Sequence, residues 1–195
     1  AASVVYKRQD MGVIIAIIGQ SGVGPSLLKK YFVGQGVVEI DLASMLGEWL
    51  GTGLQAKTWR QCLNGDIDKV SGHVRTLRSP EVGVLIERCI RDAKASDSSY
   101  VVEIPSFVSV DLYADLAVDG AVFVDCTYEA QTQYLKAAGA TDTAIHYLRT
   151  HMQGREAYRS VATDIFHNSV SLSHIEWVAV KILQSYALQI TNLQT

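Results

Sequence analysis

Short apolar runs along the chain have the length of β-strands, and most of the sequence between them has a helical period. The run at 13–18 is apolar at every position, as in a strand buried on both faces of a parallel sheet. Between 81 and 95, apolar residues instead recur every three or four positions, as on one face of a helix. The predicted strands are 13–18, 36–41, 98–105 and 120–126, and the predicted helices are 42–50, 81–95, 129–138, 142–159 with a break near Gly154, and 173–188, with short helices in 55–80. Strands that alternate with helices predict βαβ units, and therefore an α/β fold with a parallel sheet.

The length and apolar content of the chain fit one domain with a substantial core. It has 195 residues, of which 48% are apolar. Residues 1–11, which precede the first apolar run, are predicted to form an N-terminal arm. Residues 12–190 are predicted to form a single domain.

Charge and cysteine usage narrow the choice of partners and compartment. A formal net charge of −3 without a long basic run argues against a nucleic-acid partner. The three cysteines, Cys62, Cys89 and Cys126, are far apart and show neither disulfide nor metal-ligand spacing. No apolar stretch reaches the ~20 residues that span a bilayer. We therefore expect an intracellular, reducing compartment, no membrane-spanning segment and no metal site built from these cysteines.

A glycine-rich loop joins the first predicted strand to a helical segment. Gly19, Gly22, Gly24 and Ser26 have the spacing of the phosphate-binding pattern G-x-x-x-x-G-K-[ST], but Pro25 stands where that pattern has lysine. Proline has no ammonium to meet a phosphate, and it removes one backbone N–H from the amide donors. It also suits the first position of a helix. The loop is therefore either a weakened phosphate site or a tight turn that only closes the strand onto the helix.

A series of motifs, in order along residues 12–185, resembles that of the dephospho-coenzyme A kinases, which are P-loop kinases of the nucleoside-monophosphate-kinase type. The motifs are the loop 19–26 (G-G-x-G-S-G-K-S in the family), 36–41 (G-x-x-V-I-D-A-D), 77–80 (L-x-H-P), 101–107 (V-x-x-x-P-L-L), 122–131 (V-x-V-D-x-x-x-E-x-Q), and Gln153, Arg155, Ala162 and Asn168 of the tail. The resemblance implies a three-layer P-loop kinase-like sandwich, in which helices flank a parallel sheet and a small helical lid is added. It also implies that residues 55–80 and 133–160 supply substrate-binding and lid helices.

The chain departs from the family pattern at the positions to which the resemblance assigns the chemistry. Pro25 replaces the phosphate-binding lysine. Ala43 replaces the acid implied to act as the base on a ribose 3′-hydroxyl, so that Asp41 is the remaining acid of that motif. The lid of the family is arginine-rich, whereas residues 133–139 contain Lys136 and no arginine. Phosphoryl transfer depends on cations that stabilise the phosphoryl oxygens, so these losses predict negligible kinase activity.

Several of these side chains also have a structural interpretation. Asp41 is predicted to end its strand or cap the following helix rather than to act as a catalytic acid. Asp125 is predicted to be a scaffold residue. Lys29 and Lys30 are predicted to lie on a solvated helix face, too far into the helix to replace the missing lysine. Ser26 is most simply a residue of the first helical turn.

Three functions therefore stay open. The leading hypothesis is a catalytically inactive homologue that serves as an accessory subunit of a larger complex, with other protein subunits as partners and with no cofactor or metal. Its expected location is the mitochondrial matrix side, by analogy with other recruited nucleotide-kinase folds. The second is an active divergent kinase that transfers phosphate from Mg-ATP to a ribose 3′-hydroxyl, with Asp41 catalytic, Ser26 on magnesium, and Lys136, Arg155 or Arg159 as the replacement cation. The third is a non-catalytic module that binds a nucleotide or coenzyme A.

Overall fold

The computed structural model describes residues 12–50, 67–112, 116–168 and 172–186. The strands in these residues are β1 (Ile14–Gly19), β2 (Val38–Ile40), β3 (Tyr100–Glu103), β4 (Gly120–Asp125) and β5 (Asp164–His167). The helices are α1 (Pro25–Gly34), α2 (Leu42–Leu50), α3 (Ile67–Leu77), α4 (Pro80–Lys94), α5 (Tyr128–Ala137), α6 (Asp142–His151), α7 (Arg155–Val161) and α8 (Leu172–Ser185). All strand pairs are parallel, in the order β2-β3-β1-β4-β5. The predicted α/β fold with a parallel sheet is confirmed.

The central strands β1 and β4 are apolar because both of their faces are covered. Every residue of these two strands except the acidic Asp125 is apolar or glycine, and every one is buried. Because side chains alternate along a strand, Ile14, Ala16 and Ile18 pack against α4 and α7 on one face, whereas Ile15 and Ile17 pack against α1 and α8 on the other. The two cores fix the register of the central strands, since a slip by one residue would exchange the faces.

The fifth strand, β5, was not predicted from the sequence. It has four residues and lies at the edge of the sheet beside β4, where only Phe166 is fully buried. Such a short edge strand has no long apolar run, so the hydrophobic pattern does not reveal it. The break predicted near Gly154 is confirmed, because α6 and α7 are separate helices and Gly154 caps the second. The predictions for 1–11, for 55–66 and for the end of the last helix beyond 186 lie outside the described residues.

The carboxyl ends of β1, β2 and β3 meet at one edge of the sheet and position the glycine loop beside two acidic residues. The loop follows β1, while Glu103 is the last residue of β3 and Asp41 comes directly after β2. Because β3 lies between β1 and β2, these side chains line one continuous rim. In α/β proteins this rim is the usual place for a ligand. None of the described helices is long and apolar enough to cross a membrane.

Candidate functional site

The glycine loop turns sharply between β1 and α1 through two left-handed backbone positions. Gly22 has φ 82° and Gly24 has φ 87°. Gly24 caps α1, and Pro25 occupies the first turn, the position that proline suits. Side chains other than glycine rarely adopt such angles, so the turn explains why glycine stands at these two positions.

Side chains from three distant parts of the chain hold the loop in place. The Gln131 amide donates to the carbonyl oxygen of Ser21 at 2.8 Å, and the Asn168 amide donates to the carbonyl oxygen of Val23 at 2.6 Å. The backbone amide of Ser21 points at the sulfur of Met152 at 3.2 Å, a weak acceptor. One amide donor of the loop and two of its carbonyls therefore already have partners within the chain.

Leu135 of α5 packs against the glycine loop at Gly22. The side chain is 2% exposed, and a Cβ atom added to Gly22 would lie 2.6 Å from it. In contrast, the backbone amides of Gly24 and Ser26 meet no acceptor among the described residues. Both residues lie at the N-terminus of α1, which is a weak anion site.

Two adjoining cavities open at this rim. The first has a volume of about 330 Å³ and lies over the loop, with Tyr134 at its side. The second has a volume of about 490 Å³ and extends towards β2 and α2. Both volumes suit a small ligand. The residues that line both cavities are Ser21, Ser26, Glu103, Pro105 and Ser106, and the second is also lined by Lys29, Glu39, Asp41 and an apolar wall of Leu42, Leu46, Leu77 and Phe107.

Ser26 and Lys29 converge on the same carboxylate, that of Glu103. The Ser26 hydroxyl lies 3.1 and 3.0 Å from the two Glu103 oxygens, so it donates to that carboxylate. The Lys29 ammonium lies 3.1 Å from Glu103 Oε2 and 2.7 Å from Glu39 Oε1. The prediction that Lys29 lies on a solvated face was wrong, because this side chain is only 19% exposed and bridges two acids, whereas Lys30 is exposed as predicted.

The carboxylates keep the Lys29 ammonium charged. Burial by itself lowers the pKa of Lys29, but its hydrogen bonds and its attraction to Glu39 and Glu103 outweigh that effect and raise the pKa above its ordinary value. Lys29 is therefore a cation at neutral pH.

Asp41 caps α2 and does not point freely into the second cavity. One carboxylate oxygen accepts from the Ser44 backbone amide at 3.1 Å and the other accepts from the Ser44 hydroxyl at 2.7 Å. These bonds, the hydroxyl first, lower the pKa of Asp41, so it remains an anion at neutral pH. Both oxygens of the acid are therefore engaged by the helix that follows it.

The arginines that could replace the missing cations are bound to a buried acid on the other side of the loop. Asp125, at the end of β4, is 6% exposed, and its Oδ2 lies 3.0 Å from Arg159 Nη2. Its Oδ1 lies 3.3 Å from Arg155 Nε. The Arg155 guanidinium also lies 4.2 Å from the centre of the Tyr128 ring. Asp125 thus pairs with both arginines, and its role as a scaffold residue stays a prediction.

Lys136, the third candidate cation, and the nearby Arg149 of α6 also have partners. Arg149 donates to the Tyr128 carbonyl oxygen at 2.7 Å and to the Thr132 hydroxyl at 2.6 Å. Lys136 pairs with Asp142 at 2.9 Å on the surface, and both side chains are more than half exposed. Unlike the arginines, Lys136 can leave its partner at little cost, because exposed ion pairs are weak.

A divalent ion of the kind that P-loop kinases use would be held by Ser26 and an acid such as Glu103. The donor atoms are present, but the Lys29 ammonium already bonds to the Glu103 carboxylate. Among the described residues, no group of three or more histidine, cysteine or acidic side chains has the arrangement of a metal site. The residues therefore do not fit a divalent ion as they stand.

Solved structures with the same architecture are kinases in several cases. TT1252 from Thermus thermophilus has a TM-score of 0.59 at 18% identity, covering 90% of this chain and 98% of its own. Shikimate kinase from Acinetobacter baumannii has a TM-score of 0.56 at 14% identity, covering 97% and 99%. Shikimate kinase from Bacteroides thetaiotaomicron has a TM-score of 0.58 at 14% identity, covering 90% and 99%. No family model and no curated protein matches the sequence.

These likenesses show the fold. The chain has the α/β P-loop kinase-like fold, a parallel five-stranded sheet flanked by helices, as predicted. At such low identities they carry no activity or substrate to this chain. The resemblance to dephospho-coenzyme A kinases and the lid assigned to 133–160 stay predictions.

Sequence reasoning identified the glycine loop but missed the side chains that contact it and the rim beside it. Lys29 lies three positions after Ser26, but its meeting with Glu39 and Glu103 depends on the register of β2 with β3, which the sequence does not reveal. Gln131 and Asn168 were part of the family motifs, although no contact was assigned to them. Met152 gave no signal in the sequence.

Proposed function

We propose that this chain is a non-catalytic member of the P-loop kinase-like fold, degenerate relative to the dephospho-coenzyme A kinases, and that it acts as an accessory subunit of a larger assembly. One observation carries the proposal. The cations that phosphoryl transfer requires are absent, as at Pro25, held by the buried Asp125, as are Arg155 and Arg159, or paired with an acid on the surface, as is Lys136. No described cation other than Lys29 lines either cavity.

The size of this deficit supports the absence of catalysis. One arginine at a transferring phosphoryl group is worth ~10³–10⁵ in rate, or roughly 4–7 kcal/mol of the barrier. If Arg155 moved to a ligand, the buried Asp125 carboxylate would lose one of its two arginine counter-ions. Breaking a buried ion pair of this kind costs several kcal/mol. The binding of a ligand would have to offset this cost before Arg155 could stabilise a phosphoryl group.

The charge of the second cavity supports the same conclusion. Its described lining carries three carboxylates, Glu39, Asp41 and Glu103, against the single ammonium of Lys29. Dephospho-coenzyme A and ATP are both anions, so neither is attracted to this wall. The apolar residues of the cavity provide contacts but no charge to meet a phosphate.

The accessory role is supported by exposed aromatic side chains near the rim and on α2. Trp49 is 51% exposed, Tyr134 is 48% exposed and Tyr128 is 53% exposed. Aromatic residues are enriched at the centres of protein interfaces, so these side chains are candidate contacts for a partner. The mitochondrial location stays a prediction from analogy.

A divergent active kinase is the second candidate, and one observation favours it. Ser26 and Glu103 lie 3.0 Å apart, in the relative position of the hydroxyl and acid that hold magnesium in P-loop enzymes. This candidate requires Lys136 or another cation to move to the loop, and Lys29 to leave Glu103. A module that binds a nucleotide or coenzyme A without turnover is the remaining alternative.

Calorimetric titration of the full chain with Mg-ATP and then with dephospho-coenzyme A separates these functions. We expect no saturable heat from either ligand on a folded sample. A Pro25→Lys variant serves as the comparison, because it returns the missing ammonium without touching the acids. Saturable binding by the native chain without turnover would favour the binding module instead.

A turnover assay with both substrates decides between the enzyme and the inactive homologue. Magnesium-dependent transfer at ordinary kinase rates, lost in Ser26→Ala, would refute the absence of catalysis. The accessory role is tested separately by sizing the tagged chain from its own cells. We expect migration well above the monomer and a shift towards monomer in Trp49→Ser; migration as a free monomer would contradict the accessory role.

A further inference from the structure

The cation position beside the glycine loop is filled by the protein itself. The Lys29 ammonium and the Ser26 hydroxyl both contact Glu103 Oε2, at 3.1 and 3.0 Å. These are the hydroxyl and the acid between which a P-loop enzyme holds its divalent ion. Lys29 therefore bonds to the carboxylate that an incoming ion would need.

Backbone geometry makes this arrangement a consequence of the fold. Glu39 pairs in register with Val101, two positions before Glu103, so period-two alternation turns both acids towards the face that α1 covers. On α1, Lys29 follows the buried Leu28 and lies one turn after Ser26, at the edge of the face that packs on the sheet. The lysine thus extends from the helix to the ends of β2 and β3.

The contact differs from a common surface ion pair in two respects. Lys29 bridges two acids at 2.7 and 3.1 Å, and its side chain is 19% exposed, while those of Glu39 and Glu103 are 34% and 25% exposed. Ordinary surface pairs, such as that between Arg88 and Asp92, are more than 70% exposed at 3.9 Å. Partial burial strengthens the attraction between opposite charges, because fewer water molecules screen it.

We infer that the Lys29 ammonium is an internal substitute for the divalent ion at the Ser26–Glu103 position, so that this site excludes metal in the native protein. The substitution of charge is incomplete, since one ammonium faces two carboxylates. Removing the ammonium leaves a hydroxyl and two acids around an open position, with oxygen ligands of the type that Mg²⁺ and Mn²⁺ prefer.

This inference deepens the proposed function by naming the group that closes the metal position, but it can fail separately. Tight metal binding by the native chain that depends on Glu103, without any turnover, would refute the inference and leave the absence of catalysis intact. Turnover in a chain whose metal binding does not depend on Glu103 would refute the absence of catalysis and leave the inference intact.

The test is Mn²⁺ binding to the full chain, followed by the electron paramagnetic resonance signal of free Mn²⁺. The variants are Lys29→Met, the matched control Lys30→Met on the exposed side of the same helix, and the double variant Lys29→Met with Glu103→Gln. We expect Lys29→Met to bind Mn²⁺ at least ~10-fold more tightly than the native chain, because a unit positive charge is removed from the metal position. The control should match the native chain, and the double variant should lose the gain.

Two results overturn the inference. One is saturable Mn²⁺ binding by the native chain that is as tight as that of Lys29→Met and is lost in Glu103→Gln. The other is a folded Lys29→Met variant, checked by circular dichroism, that gains no binding. Lys29→Gln, which keeps a polar head group, replaces Lys29→Met if the latter does not fold. The comparison of the native chain with Glu103→Gln keeps Lys29 in place and can already refute the inference by showing a tight site that depends on Glu103.

Discussion

Replacing Asp125 by asparagine tests whether a buried acid keeps two arginines away from the loop. Asp125→Asn preserves the shape of the side chain and removes its charge. The carboxylate is 6% exposed, with Arg159 Nη2 3.0 Å from one oxygen and Arg155 Nε 3.3 Å from the other. We expect the variant to be clearly less stable than the native chain, because two cations lose their shared counter-ion.

The magnitude follows from the exposure of the two arginines. Removing one partner of a fully buried ion pair costs about 3–5 kcal/mol. The Arg159 side chain is 39% exposed and can turn to water, whereas that of Arg155 is 20% exposed and keeps its contact with the Tyr128 ring. A retained cation–π contact recovers about 0.5–2 kcal/mol. We therefore expect a loss of about 2–3 kcal/mol in the free energy of unfolding.

The assay is urea unfolding at pH 7, followed by tryptophan fluorescence and circular dichroism, with the m-value fitted for each variant. Glu156→Gln is the matched control. Glu156 is the other acid bound to Arg159, at 2.9 Å, but its side chain is 84% exposed. We expect the control to lie within about 0.5 kcal/mol of the native chain, as exposed pairs do.

A loss below about 0.5 kcal/mol in Asp125→Asn, at an unchanged m-value, would refute this account. It would mean that Arg155 and Arg159 are not held by the acid. They would then be available to a phosphate at low cost, and the strongest support for an inactive site would be gone.

Three further substitutions test the loop and its surroundings by urea unfolding. Gly22→Ala should cost about 1–3 kcal/mol, because the position has φ 82° and the added Cβ would lie 2.6 Å from Leu135. Asn168→Ala should cost about 1–3 kcal/mol, because it leaves the carbonyl oxygen of Val23 without its buried donor. Asp41→Ala should cost about 0.5–1 kcal/mol at pH 7 through the lost cap of α2. The penalty should shrink as the pH falls below ~3.9, because a depressed folded pKa stabilises only while the acid is ionised.

Controls for these variants come from the same elements. Gly34→Ala at the end of α1 adds a Cβ with no atom within 4 Å, so it should not destabilise the chain. Equal costs for Gly22→Ala and Gly34→Ala would contradict the packing of Leu135 on the loop. A cost for Asp41→Ala that does not change between pH 7 and pH 3 would mean that the negative charge of the cap contributes nothing.

Much of the sheet was predictable because its central strands are buried on both faces. The unbroken apolar run before the loop can satisfy its burial only in the middle of a covered sheet, and it is found there as β1. The edge strand β5 was missed for the converse reason, since a four-residue edge strand with one fully buried side chain has no pattern to detect.

The sequence also determined what the candidate site lacks. Pro25 removes a cation and an amide donor in any fold, and glycine at positions 22 and 24 permits the left-handed backbone found there. These are properties of single residues and their neighbours in the chain, so they can be read without coordinates.

Only the tertiary structure decided where the remaining charges lie. Lys29 is 74 residues from Glu103 in sequence, and Arg155 is 30 residues from Asp125, yet each pair is in contact. Sequence gives the number and spacing of charged groups, whereas electrostatic interaction depends on distance and burial, which the packing of helices on the sheet sets. For this reason the sequence shows that proline stands where the P-loop pattern has lysine, whereas the fold alone shows that Lys29 contacts Glu103 and that Asp125 contacts both arginines.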